Sequence, residues 1–256
     1  MTQDEILQNT AGVMIKTTLV DFPGKVACSY FMRGCNLRCP YCYNADLVKS
    51  SSSLDNSQDD SDRTHLVTPI TILEHLFKRK QLINGLVISG GEPLLNPATP
   101  ILIKAAKQMG MAIKLDTNGT LPDALESLMS NPETRPDFIA MDIKTSPDRY
   151  AEKMGVTAGF AQKDIPSLLK RSVDLISSLG PDNYEIRTVL VPGLTELEDI
   201  KNIAQMLPQD VSWQFAQFRN ENCIDPSYNE IQPFIDAKLK ELTDYAKTFI
   251  PKAALR

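Results

Sequence analysis

Three cysteines fall within the short run Arg33-Gly34-Cys35-Asn36-Leu37-Arg38-Cys39-Pro40-Tyr41-Cys42, which offers three thiolate ligands on one stretch of chain. Such a stretch can wrap a metal centre. Structural zinc sites take four protein ligands, usually as two pairs joined by a longer spacer. Here Cys28 lies within a predicted strand, Cys223 is remote, and the histidines, His65 and His75, sit beyond a polar serine-rich loop, so no fourth ligand is apparent. A cubane iron–sulfur cluster held by three thiolates fits better, because its fourth iron stays open to a substrate atom.

Further along, Ser89-Gly90-Gly91-Glu92-Pro93 joins glycines that let a ligand approach the backbone to a carboxylate that can accept hydrogen bonds from an ammonium group. Taken alone, the same five residues read as a tight turn and a helix start at Pro93. Asp116-Thr117-Asn118-Gly119, Asp142-Ile143-Lys144, Arg187 ahead of Val191-Pro192-Gly193, and Gln217-Phe218-Arg219 add acids, amides and bases. Each has a plain alternative as a turn cap, a solvated pair or a surface charge.

Placement separates these readings. From Lys25 onward, short β-branched or apolar runs alternate with longer amphipathic segments, the pattern of strand–helix units around a parallel sheet. Strands are predicted at Val26–Met32, Leu86–Ser89, Met111–Leu115, Asp137–Met141, Tyr184–Leu190 and Val211–Phe215. Helices are predicted at Ile70–Gln81, Thr99–Met109, Leu121–Ser130, Ile165–Ser178, Glu196–Met206 and Ile231–Phe249, with Gly110 and Gly180 as C-terminal stops. An α/β barrel, complete or partial, fits best, as a single domain over residues 1–256. The polar and glycine-rich sets then fall at or near the C-terminal ends of the predicted strands, where parallel α/β folds build their sites.

Residues 49–64 break the pattern, with Ser50 to Ser53 followed by Asp55, Asp59, Asp60 and Asp62 and almost nothing to bury. A flexible surface insertion is expected there, with a lid or docking segment beside the cysteine cluster as the alternative. A hydrophobic fraction of 42%, a charged fraction of 23% and a net charge of −5 describe an ordinary globular chain with no long-range attraction for nucleic acid or anionic lipid. The N-terminus lacks the basic start and apolar run of a signal peptide, and no apolar stretch approaches membrane-spanning length, so a cytoplasmic location is expected. Five cysteines, three of them clustered, suit metal or redox chemistry in a reducing compartment better than a disulfide framework.

The spacing Cys35, Cys39, Cys42 resembles the radical S-adenosylmethionine (SAM) superfamily. Thr18-Leu-Val-Asp21-Phe-Pro-Gly24, Pro40-Tyr-Cys42-Tyr-Asn44, Ser89-Gly-Gly-Glu92-Pro93, Leu115-Asp-Thr-Asn-Gly119, Met141-Asp-Ile-Lys144, Arg187 with Val191-Pro-Gly193, and Gln217-Phe-Arg219 together resemble the glycyl-radical activating enzymes. Within that group the chain is most similar to anaerobic ribonucleoside-triphosphate reductase activating proteins, from Ile15 to about Pro226 apart from the serine-rich loop.

The resemblance implies a partial (β/α)6 radical-SAM barrel and one [4Fe-4S] cluster on Cys35, Cys39 and Cys42, with the methionine end of SAM chelating the open iron. It puts Tyr41 and Asn44 near the adenine, Gly90, Gly91 and Glu92 near the amino group, and Lys144 and Arg187 at the carboxylate or ribose. Asp116 and Asp142 resemble acidic positions that organise the cofactor site or a monovalent cation in relatives. Ser89, Thr117, Asn118, Val189 and Gln217 complete the expected SAM-binding set. A flavodoxin or ferredoxin would reduce the cluster, SAM would be cleaved to methionine and a 5′-deoxyadenosyl radical, and that radical would take a hydrogen from a glycine of the partner enzyme. Tyr43 stands where many activators have histidine, and there are too few cysteines for a second cluster domain. A small-molecule enzyme resembling the 7-carboxy-7-deazaguanine synthases is the alternative on the same chemistry, and a non-catalytic metal-binding or electron-transfer protein is the alternative without it.

Overall fold

The computed structural model describes residues 1–49, 66–157 and 164–256. The surface insertion expected at 49–64 therefore lies, apart from Lys49, outside the described residues. The chain divides into two compact units.

The first unit holds α1 (Gln3–Asn9), β1 (Gly12–Thr18), β2 (Ala27–Met32), most of α2 (Ala45–Lys49), β3 (Leu66–Val67), α3 (Pro69–Arg79), β4 (Gly85–Gly90), α4 (Ala98–Gln108), β5 (Ala112–Thr117) and nearly all of α5 (Pro122–Ser130). Its strands run in the order β3-β1-β2-β4-β5. The parallel ones, β2 with β4 and β4 with β5, are the apolar runs legible in the sequence. The residues of β2 and β4 are buried almost throughout, as expected for strands covered on both faces. Phe22, Ala27 and Val87 form a buried cluster against which Ala112 and Phe138 pack.

The second unit holds β6 (Phe138–Asp142, from Ile139 onward), α6 (Tyr150–Lys153), α7 (Ile165–Ser177), β7 (Tyr184–Leu190), α8 (Leu197–Ala204), β8 (Ser212–Gln217), α9 (Asp236–Lys247) and β9 (Ala253–Leu255). The strands from β6 to β9 pair in sequence order and are all parallel. Their helices start on local signals. Asp164 caps α7 through the Ser167 amide at 3.3 Å, and Glu196 with Asp199 forms a reciprocal cap on α8. Trp213, the only tryptophan, is fully buried on β8 and donates its indole N–H to Thr188 Oγ1 at 3.0 Å.

Each predicted strand and helix is present, with its ends shifted by a few residues. The elements not anticipated are α1, β1, β3, β9, α2 and α6, of which all but α1 and β1 have five residues or fewer. β1 illustrates the reason. It runs antiparallel to both β2 and β3, and Gly12 is needed because a Cβ there would sit 2.5 Å from the Tyr30 ring and the Phe31 carbonyl. That pairing is decided by packing on β2, which no local pattern in residues 12–18 announces. Among the described residues no helix is long and apolar enough to cross a membrane.

Truncating Trp213 removes both packing and a buried hydrogen bond. Trp213→Ala is expected to lose about 3–5 kcal/mol of unfolding free energy in a urea titration followed by circular dichroism.

Candidate functional site

Backbone contacts within the first unit fix the entry to the cysteine stretch. The Gly34 amide donates to the Leu47 carbonyl at 2.8 Å, the Gly91 amide to Met32 at 2.8 Å, and the Glu92 amide to Gly34 at 2.8 Å. Two glycines make this approach possible. Gly90 has φ +117° and lies where a Cβ would meet the Met32 backbone at 2.3 Å, and a Cβ on Gly91 would meet the Gly34 carbonyl oxygen at 2.0 Å. Gly90 thus admits the backbone of β2 at Met32, and Gly91 admits that of the cysteine stretch at Gly34.

Within the second unit the rest of the stretch is held on two sides. Leu37 bridges Val156, the Arg38 amide donates to the Met154 carbonyl at 3.0 Å, and the Thr157 amide donates to Asn36 at 3.0 Å. On the other side the Ile224 amide donates to the Cys42 carbonyl at 3.0 Å and the Asp225 amide to Pro40 at 3.0 Å, while the Cys42 amide turns back to Cys39 at 3.0 Å. Cys39 is buried, Cys35 and Cys42 are half-buried, and no cysteine is in a disulfide. Among the described residues no three His, Cys, Asp or Glu side chains converge on a single-ion site.

Asn36 was not singled out in the sequence, yet it is the side-chain anchor of the loop. Its amide nitrogen donates to Thr120 Oγ1 at 2.7 Å, and its oxygen accepts from the Asn118 amide at 2.9 Å. Asn118 Oδ1 accepts in turn from the Thr120 backbone and hydroxyl at 3.0 and 2.6 Å. Asn118 therefore both makes its own turn and braces the cysteine stretch. These partners lie more than eighty residues apart in the chain, so only the fold reveals the network.

At the C-terminal ends of β4 and β5, Glu92 is fully buried. Its Oε1 accepts from the Leu94 amide at 3.1 Å and from the Thr117 hydroxyl at 2.8 Å, so the carboxylate caps the turn that Pro93 begins. Asp116 pairs with Lys114, a buried ammonium on the same strand that the sequence reading also passed over. Ser89 is half-buried near the end of β4.

Asp142 ends β6 between two cations. Arg187 Nε, from β7, donates to its Oδ1 at 2.8 Å, and Lys144 Nζ to its Oδ2 at 3.2 Å. Burial opposes ionisation of Asp142, but the Arg187 and Lys144 charges outweigh it and hold the carboxyl well below the usual range. Burial also opposes the Lys144 charge, and Asp142 more than restores it, so the ammonium is held above its ordinary value. The Lys144 backbone is set by Tyr150, fully buried, whose hydroxyl accepts the Lys144 amide N–H at 2.7 Å. Tyr41 is buried with its ring edge-on to Phe218, centroids 6.4 Å apart, and its hydroxyl has no hydrogen-bond partner among the described residues. Asn44 and Val189 are half-buried, and exposed Gln217 donates from its amide to the Phe234 carbonyl at 3.0 Å.

Two features fit an iron–sulfur cluster with an organic ligand. Three thiols lie on one short stretch of chain, and between two of them, within the second unit, the buried Tyr41 hydroxyl has no hydrogen-bond partner among the described residues, which costs about 1–3 kcal/mol unless something supplies one.

The Asp142 pairing sets a pH dependence. Its folded carboxyl lies below the unfolded value of about 3.9, so its contribution is complete above that pH and is lost as pH falls toward the folded value. Asp142→Asn is expected to lose about 2 kcal/mol at pH 7, with the difference from wild type shrinking below roughly pH 4 in paired denaturant titrations.

The family model for the radical SAM superfamily matches residues 29–207, well over half of the chain. A protein of Methanocaldococcus jannaschii whose provisional name is glycyl-radical enzyme activating enzyme is 28% identical over 249 residues, covering 95% of this chain and 94% of its own. The pyruvate formate-lyase-activating enzyme of Clostridium pasteurianum is 28% identical over 191 residues, covering 74% of this chain and 72% of its own. Among solved structures, Streptococcus suis SuiB bound to S-adenosylmethionine has a TM-score of 0.55 at 18% identity over 87% of this chain; the chain spans 47% of SuiB. TYW1 with a lysine-pyruvate adduct has a TM-score of 0.57 at 14% identity, covering 88% of this chain and 74% of TYW1. These likenesses show a shared α/β fold. Members of the matched family bind a [4Fe-4S] cluster and SAM. With the cysteine spacing that marks the family inside the matched segment, the chain belongs to the radical SAM superfamily and is a radical SAM enzyme.

Proposed function

We propose that this chain, a single radical-SAM domain over residues 1–256, installs a glycyl radical on a partner enzyme, and that the partner is an anaerobic ribonucleoside-triphosphate reductase. The observation that carries the activase reading is the match over nearly the full length of both chains to a protein named as a glycyl-radical enzyme activating enzyme. The reductase as partner rests on the motif resemblance alone.

Cys35, Cys39 and Cys42 would hold one [4Fe-4S] cluster. With bound SAM and one electron from a flavodoxin or ferredoxin in a reducing, cytoplasmic setting, the cluster supplies homolysis of the SAM carbon–sulfur bond and a 5′-deoxyadenosyl radical that takes hydrogen from glycine. The protein's part is position. Lys144 uses one ammonium donor on Asp142, which aims the remaining donors, and Asp142 also orients Arg187 through Nε. That geometry suits a carboxylate or ribose hydroxyl of SAM. Tyr41, with its buried unpartnered hydroxyl, and Asn44 would lie by the adenine. Ser89, Gly90 and Gly91 would offer backbone groups to the amino group, and Glu92, committed through Oε1 to Leu94 and Thr117, would fix the turn that presents them. Asp116, Thr117, Asn118, Asp142, Val189 and Gln217 would complete the SAM contacts.

A second reading keeps the cofactor and changes the substrate. It is favoured by the 32% identity over 200 residues to the S-adenosylmethionine-dependent nucleotide dehydratase of Lacinutrix mariniflava, which covers 75% of this chain but 39% of that one. A small-molecule enzyme of the 7-carboxy-7-deazaguanine synthase kind belongs to the same reading.

Two measurements separate these. The anaerobically reconstituted chain with reductant and SAM is expected to release 5′-deoxyadenosine, and Cys39→Ala to release none above background. Adding the anaerobic reductase should then produce a glycyl-radical signal in electron paramagnetic resonance. Deoxyadenosine without any protein radical, but with turnover of a nucleotide, would favour the second reading.

A further inference from the structure

Asp116 is one of two acidic positions at which the resemblance to the radical SAM superfamily leaves room for a monovalent cation, and the chain places its own cation there. Lys114 and Asp116 stand two residues apart on β5, so their side chains leave the strand on one face. Ala112, on the same face, packs against the buried cluster of Phe22, Ala27 and Val87, and Val87 is the register partner of Lys114 on β4. The face is therefore apolar below the pair. Lys114 Nζ donates to Asp116 Oδ1 at 2.5 Å, with the two side chains 3% and 12% exposed, and among the described residues it donates to nothing else. An ammonium so deeply buried must be paired, and its charge has no other partner to serve. A free sodium or potassium ion at Asp116 would stand beside that ammonium, where like charges repel more strongly as burial lowers the dielectric. In the second unit Asp142 is met the same way, by Arg187 Nε at 2.8 Å and Lys144 Nζ at 3.2 Å. Among the described residues no three His, Cys, Asp or Glu side chains converge on one ion. A soluble monovalent ion does not fit either carboxylate.

We infer that Lys114 is a tethered cation: it neutralises and orients Asp116 in place of a soluble monovalent ion, so that this chain cleaves SAM without one. Lys114 acts through Asp116 and is a positioning residue. Its tether fixes the charge at the end of β5 during folding, and no ion has to be captured from solution at a cost in translational freedom. The carboxylate then keeps one charge state and one direction whatever salt surrounds the protein. The inference rests on the reading of Asp116 as a SAM contact; the pairing itself does not.

The test compares wild type with Lys114→Ala, which deletes the ammonium together with the three carbons that carry it, a loss matched in size by propylammonium. Both are held at one ionic strength in tetramethylammonium chloride, whose bulky cation makes a poor replacement, and potassium or propylammonium chloride is substituted in steps. The readouts are 5′-deoxyadenosine release by the reconstituted enzyme with reductant and SAM, and the urea midpoint of the iron-free chain. Wild-type release is expected to be the same in all three salts. Lys114→Ala, with the Asp116 charge stranded, is expected to release at least about tenfold less in tetramethylammonium and to recover saturably with propylammonium. Its midpoint should rise toward that of wild type over the same range. Wild-type release that falls severalfold in tetramethylammonium and returns with potassium would overturn the inference, and that arm decides alone if Lys114→Ala does not fold. A folded Lys114→Ala that matches wild type in rate and midpoint in every salt would overturn it too. No deoxyadenosine from wild type in any salt would remove the reading of Asp116 as a SAM contact, whereas a Lys114→Ala midpoint that propylammonium leaves unmoved would overturn the tethered cation itself.

Discussion

The site depends on one constraint: the backbone of the cysteine stretch is hydrogen-bonded along most of its length by segments far away in sequence. Met32 and Gly34 accept from the Gly91 and Glu92 amides, Asn36 and Arg38 bond to residues 154–157, and Pro40 and Cys42 accept from Asp225 and Ile224. A loop of this length left to itself would lose about 1–2 kcal/mol of backbone entropy per residue on wrapping a ligand. Folding meets that cost in advance, and the binding free energy of whatever the thiols hold is correspondingly larger. The same bonds explain features around the loop. Gly91 is small because the Gly34 backbone lies against it, and Gly155 is small because a Cβ there would come within 2.9 Å of the Arg38 carbonyl.

Around this frame the charged groups are paired in ways that leave direction as well as neutrality. Asp142 between Arg187 and Lys144 is stable as a carboxylate because two cations offset its desolvation, and both cations are thereby held in one orientation. Lys114 with Asp116 is a second pair, more deeply buried, at the end of β5. Removing one member of either pair would strand a charge, which is more damaging than the loss of a hydrogen bond. The Tyr41 hydroxyl, at the residue directly before Cys42, is a polar group folded into the interior without a hydrogen-bond partner among the described residues.

Much of this was legible in the sequence. The parallel strands β2 and β4 to β8 read as apolar runs, and each was predicted; their C-terminal ends carry Ser89 and Gly90, Asp116 and Thr117, Asp142, and Gln217, as the alternation of strand and helix implied. The strands β1, β3 and β9 were not, since the antiparallel pairing of β1 with β2 and β3 and a three-residue strand at the C-terminus leave little local pattern. Chemical signatures were legible where type and spacing suffice, as in Cys35, Cys39 and Cys42. Asn36, Thr120, Lys114 and Tyr150 were missed because each acts through one partner that only the fold supplies. Glu92 was seen, but its work as a cap was visible only as the plainer of two readings.

Amide hydrogen exchange on the iron-free chain tests most directly whether the cysteine stretch is formed before it holds anything. The amides of Arg38, Cys42, Ile224 and Asp225 are predicted to exchange at least about a hundredfold more slowly than in an unstructured peptide, as members of one cooperative unit. Exchange of these four at unprotected rates, in a chain whose β7 and β8 amides are protected, would contradict a preformed loop and make the bound group the source of its order.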